Sequence, residues 1–137
     1  MKYLFCAFVA GFVAVLVFHQ GMLTLLHDWG VTARTPFPIQ PTKPFGVPVI
    51  WSLSFWGGIW GIVFAIVHRL FPRGVKYWLA TLVFGAIFPS LVAWFVVPVI
   101  KGLPTAGWNP ALMSIGLMVN GAWGIGTALF LRGFSKG

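Results

Sequence analysis

The one acidic residue of this 137-residue chain, Asp28, ends a short polar series. In "FHQGMLTLLHD", Gln20, Thr24, His27 and Asp28 follow one another at spacings of four, three and one, which on a helix is a single stripe with His19 beside it. Imidazole, amide and hydroxyl groups in that pattern can build a hydrogen-bonding pocket in an otherwise apolar helix. Ser54 and Asn120 are polar groups that could complete it, Asn120 lying about ten residues, or ~15 Å, into its own apolar run. Polar side chains at membrane depth are costly and face other helices or a wet cavity. His19, Gln20, Thr24, His27, Asp28, Ser54 and Asn120 are the candidates for a polar pocket opening outward. Interhelical hydrogen bonding is the preferred reading.

These residues do not support stronger chemistry. His19 and His27 share a helix, and His68 belongs to the opposite side of the membrane, so a pair of axial haem ligands is not expected. One cysteine and one carboxylate are too few for a zinc site. His27 and Asp28 are neighbours, and on a helix their side chains diverge by about 100°, a poor acid–base dyad. Paired carboxylates and a nucleophile–base set are missing as well. The chain is therefore read as non-enzymatic, with no metal and no cofactor.

The elements that must carry these residues follow from composition. The chain is 59% hydrophobic, 18% aromatic and only 7% charged, too few polar residues to cover a soluble core. Four apolar runs, about 3–26, 47–67, 77–100 and 110–131, each exceed the ~20 residues needed to cross hydrocarbon as a helix. They lack the alternation of a transmembrane barrel. The predicted fold is all-α, a four-span transmembrane helix bundle forming one membrane domain over 1–137. The first run has the basic start and apolar core of a signal peptide. No small-x-small site follows, however, and apolar character resumes through "GMLTLL", so a retained span is expected. Cys6 has no second cysteine to pair with.

The net charge of +8 is distributed unevenly. Lys2, Arg69, Arg73, Lys76, Arg132 and Lys136 fall on one side of a four-span chain, and Arg34, Lys43 and Lys101 on the other. That excess orients the first side, with both termini, toward the cytoplasm. Anionic lipid headgroups on that side are the expected partner, not nucleic acid.

The chain also matches itself. At an offset of 63, Gly58, Trp60, Gly61, Ile62, Ala65, Arg69, Phe71 and Gly74 align with Gly121, Trp123, Gly124, Ile125, Ala128, Arg132, Phe134 and Gly137. At an offset of 74, Lys2, Tyr3, Val9 and Gly11 align with Lys76, Tyr77, Val83 and Gly85. The expectation is two tandem two-helix repeats, 1–74 and 75–137, with a pseudo-twofold axis along the membrane normal. Gly57, Gly58, Gly61 and Ala65 on span two, and Gly121, Gly124 and Ala128 on span four, form small-residue stripes for close helix packing. The preferred reading packs span two against span four near the axis. The alternatives are a homodimer or a larger membrane complex.

The outer loop, 27–46, carries Pro36, Pro38, Pro41 and Pro44, which favour extended chain. With Trp29, Phe37, Ile39 and Phe45 it is apolar enough to lie on the bundle's outer mouth. Asn109 and Pro110 read as the cap and first turn of span four, and Pro89 as a kink in span three.

The segments "FHQG", "TPFPIQPTKPFGVP" and "FWGGIWG" together resemble a family of small uncharacterised inner-membrane proteins of Gram-negative bacteria. The likeness covers spans one and two and implies a bacterial inner membrane. The functional expectation is a non-enzymatic accessory or assembly component. The alternative is a small permease or channel using the outer polar pocket.

Overall fold

The computed structural model describes residues 2–33, 35–41, 46–96, 99–100, 102 and 110–135. Among the described residues, four helices are long and apolar enough to cross a membrane. These are α1 (Lys2–Asp28), α2 (Val49–Leu70), α3 (Val75–Val96) and α4 (Pro110–Ser135). Pro110 opens α4, where its missing amide breaks no helical bond. Asn109, the expected cap, lies outside the described residues, as do Arg34, Lys43, Phe45, Lys101 and Lys136.

Two of the helices contain a widened turn. In α1, Val15–His19 is a π turn in which the Gln20 amide reaches the Val15 carbonyl five residues back. In α3, α-helical geometry runs through Pro89 to Leu91, and the π turn follows at Val92–Val96.

Glycines decide how closely these helices approach. A Cβ on Gly11 of α1 would overlap the Gly57 carbonyl of α2 and stand 3.0 Å from Gly61 Cα. In turn, a Cβ on Gly61 would overlap the Ala7 carbonyl. On α3, a Cβ at Gly85 would lie 2.5 Å from the Asn120 carbonyl oxygen and 2.8 Å from Gly124 Cα. A Cβ on Gly124 would overlap the Thr81 carbonyl. Gly58 is covered by the Phe8 ring and Gly121 by Leu82. Backbone therefore touches backbone at both crossings, the contact that drives helix association where lipid offers no hydrophobic incentive.

This arrangement replaces the expected packing of span two on span four. Each glycine stripe faces the other helix of its own hairpin. The physical reason is that Gly11 and Gly85 supply a matching notch, and approach is closest where both helices lack a Cβ. The second and fourth helices do meet where Gly57 faces the Trp123 indole. Ala65 and Ala128 are buried in the core.

The most enclosed of the four helices is α4, and the least enclosed is α3. The Trp123 indole donates to the Gly11 carbonyl at 3.0 Å, so α4 is bonded to the α1 backbone at the α1–α2 crossing itself. Phe18 of α1 covers Gly126 and packs edge-on against Phe130 at 5.6 Å. Toward the Asp28 end of α1, Leu23, Leu26, Ile115 and Val119 form a second small core between α1 and α4. At the opposite end Phe64, Phe71 and Phe84 link α2 to α3, with Phe64 and Phe84 centroids 5.7 Å apart. Leu79, Val83 and Phe88 of α3 remain exposed, as suits a surface solvated by lipid.

The crossings predict an asymmetry among glycines. Gly11→Ala and Gly85→Ala force backbones apart and should each destabilise the fold by about 1–3 kcal/mol. Gly21, with open space around it, should gain up to about 1 kcal/mol as Gly21→Ala. Unfolding of the purified protein in mixed micelles checks this, and equal tolerance at all three positions would contradict it.

Candidate functional site

The candidates for an outer pocket are engaged largely one by one. Gln20 is completely buried beside the π turn. Its Oε1 accepts the Phe37 backbone N–H at 2.6 Å. Because a backbone amide can only donate, this fixes the Gln20 side chain, and its Nε2 then donates to His19 Nδ1 at 2.9 Å. His19 is thereby the tautomer with its proton on Nε2. Thr24 donates to the Gln20 carbonyl at 2.8 Å, and Ser54 to the Ile50 carbonyl at 2.9 Å, each within its own helix. Asn120 donates to the buried Ser90 hydroxyl of α3 at 2.8 Å. The His27 Nδ1 atom is buried without a hydrogen-bond partner among the described residues, and Asp28 is exposed at the end of α1. The structure thus joins His19 and Gln20 to the outer loop, while Asn120, Ser54 and Thr24 have other partners.

The bond to Gln20 organises that loop. Phe37 has φ 52°, a left-handed conformation that a bulky residue rarely adopts and that costs about 1–3 kcal/mol. Pro38 and Gln40 carbonyls accept from Ile50 at 2.8 Å and Val49 at 2.9 Å, satisfying amides of the first turn of α2 that no side chain caps. The described part of the loop is therefore tied to the bundle by backbone. Trp29 and Ile39, expected to hold it by apolar contact, are exposed instead.

A second cluster, at the other end of the bundle, gathers all four helices. His68 lies in a 3-10 turn that ends α2. Its Nε2 stands 2.7 Å from the Tyr3 hydroxyl of α1, and its Nδ1 stands 2.8 Å from the Tyr77 hydroxyl of α3. In a neutral ring one nitrogen donates and the other accepts, so the two tyrosines play opposite roles across it. The imidazole also stacks on Phe64, with centroids 5.0 Å apart and planes 19° from parallel.

Guanidinium groups close over this trio. Arg69 lies 5.5 Å from the centroid of the Tyr3 ring. From α4, Arg132 lies 4.6 Å from Tyr77 and 4.9 Å from Trp78. Each aromatic face attracts a cation by about 0.5–1 kcal/mol at an exposed site. The turn that brings α3 back is short, and Gly74 supplies the positive φ of 74° that it requires. Around it lies an open cleft of about 490 Å³, lined by His68, Arg69, Arg73, Tyr77 and Arg132. Among the described residues, no three His, Cys, Asp or Glu side chains gather as metal ligands would.

Reading the sequence missed this site, although a signal was present. At the offset of 63, polar His68 aligns with apolar Leu131, and the aligned pairs Tyr3 with Tyr77 and Arg69 with Arg132 surround it.

A double-mutant cycle tests the shared imidazole. Tyr3→Phe and His68→Leu should couple by about 0.5–1.5 kcal/mol, one hydrogen bond's worth, in micelle unfolding. The Tyr77→Phe and His68→Leu pair should couple similarly. Additive losses in both cycles would mean that the ring bridges neither tyrosine.

No protein-family model, curated protein or solved structure matches this chain.

Proposed function

We propose that the protein is a non-enzymatic component of the bacterial inner membrane that works by packing within a larger membrane assembly. Its two termini face the cytoplasm, and its architecture is one helical hairpin made twice.

The observation that carries the accessory reading is how the polar groups are used. Gln20 is bonded to the Phe37 amide, Asn120 to Ser90, and His68 to Tyr3 and Tyr77, each joining separate segments of the chain. Such bonds hold segments of the bundle in register. The permease reading needs Gln20 open to a solute, and its amide is occupied by the loop and His19.

Duplication is supported by two crossings that use aligned residues. Gly11 meets Gly57 and Gly61, and Gly85 meets Asn120 and Gly124, the same positions at offsets of 74 and 63. Arg69 over Tyr3 and Arg132 over Tyr77 repeat the correspondence. Lys2, Arg69, Arg73, Lys76 and Arg132 lie at the end shared by the start of α1, the α2–α3 turn and the end of α4, which supports a cytoplasmic assignment for that end. The likeness of "FHQG" and "FWGGIWG" to small bacterial inner-membrane proteins supports the compartment.

Native gel electrophoresis of mildly solubilised membranes, with the protein at its natural level, tests the assembly reading. A discrete species well above the monomer is expected. Migration as a lipid-solvated monomer, together with solute uptake in liposomes that His19→Ala abolishes, would replace it with the permease reading.

A further inference from the structure

The cleft between α2 and α3 has the chemistry of an anion receptor. Arg69 and Arg73 come from the end of α2 and the turn after it, and Arg132 from the end of α4, all three exposed and all lining the same opening. Two of them are held from behind by aromatic rings, Arg69 over Tyr3 and Arg132 over Tyr77 and Trp78. A guanidinium carries five N–H donors, so contact with a ring leaves donors for an anion. The tyrosine hydroxyls beneath are themselves fixed by His68 at 2.7 and 2.8 Å, so the receptor's floor is pre-set.

Two further features favour an anion. Gly74, which lines the cleft, is the N-cap of α3 and provides no side-chain cap, so the start of a long helix lies beside the arginines, with the Tyr77 amide bonded back to the Gly74 carbonyl. Among the described residues no side-chain carboxylate opposes the arginines, since Asp28 lies at the far end of α1. Three like charges around one opening repel each other until a counter-charge enters. Planar guanidinium forks match the oxygens of a phosphate bidentately, better than a diffuse lysine charge does. The volume, about 490 Å³, lies in the ~300–1,000 Å³ range of small-molecule sites.

The geometry points to a discrete phosphate-binding site formed by Arg69, Arg73 and Arg132 over the Tyr3–His68–Tyr77 trio. The cleft opens at the end of the spans, so a lipid headgroup or a free phosphorylated solute would present the same group to it. The site is the same whichever way the protein faces the membrane and whether or not it joins an assembly.

The full-length protein in neutral detergent is titrated with inorganic pyrophosphate by calorimetry and with phosphatidylglycerol or phosphatidylcholine by native mass spectrometry. Saturable binding of at least one anionic probe is expected, with phosphatidylcholine retained at least tenfold more weakly than phosphatidylglycerol if the source is lipid. Pyrophosphate binding without lipid selectivity assigns the site to a free solute, and lipid selectivity alone assigns it to a headgroup. Arg69→Gln with Arg132→Gln should weaken binding at least tenfold, whereas Lys2→Gln, outside the cleft, should change it less than twofold. Because Arg69 and Arg132 also stack on rings, Arg73→Gln serves as a second variant, expected to lose at least threefold with unchanged circular dichroism. No saturable binding of either anionic probe, equal retention of the two lipids without pyrophosphate binding, or undiminished binding in the Arg73→Gln variant would overturn the site.

Discussion

Backbone-to-backbone contact at glycine is the constraint from which the rest of this bundle follows. Lipid removes the hydrophobic incentive that joins helices in water, so association depends on how closely two helices can approach. At the α1–α2 and α3–α4 crossings the missing Cβ atoms permit an approach that alanine would block. The remaining contacts are built outward from those two points. Trp123 reaches the Gly11 carbonyl because that carbonyl lies at a crossing, and the ring then joins α4 to the first hairpin.

The two ends of the bundle use polar side chains differently. At the end of the bundle near Asp28 one buried amide, Gln20, fixes a loop whose prolines cannot donate backbone hydrogen bonds and whose Phe37 sits in an unfavourable conformation. The bond and the loop carbonyls at the start of α2 offset that strain together. At the other end His68 bridges two tyrosines, and exposed arginines lie over their rings. At one end the described part of a loop is bonded to the bundle, and the other end is an open, positively charged cleft. The inferred phosphate site and the proposed cytoplasmic orientation both rest on that difference.

Much of the architecture was legible because membrane spans are encoded in one dimension. Four apolar runs, the first turn at Pro110 and the small-residue stripes can all be read from local composition. What the stripes would touch was not legible, since a glycine face accepts any helix that is itself notched. Gly11 and Gly85 were visible as aligned positions, but nothing local says that Gly11 faces Gly61 and not Gly124. The polar series was legible as a stripe, but the partners of its members were not. Thr24 and Ser54 turn back on their own helices, and Asn120 finds Ser90, a residue with no special prominence in the sequence. The His68 cluster was the least legible feature, because Tyr3 and His68 are 65 residues apart and meet only once three helix ends converge.

Cysteine cross-linking in native membranes tests the glycine crossings most directly. In a chain with Cys6→Ala, Phe8→Cys paired with Gly58→Cys should form a disulfide under mild oxidation, because Phe8 covers Gly58. Leu82→Cys paired with Gly121→Cys should do the same for the second hairpin. The pair Gly58→Cys with Gly121→Cys should remain reduced. Cross-linking of that last pair, with failure of the first two, would show the second and fourth helices packed face to face and would contradict the account.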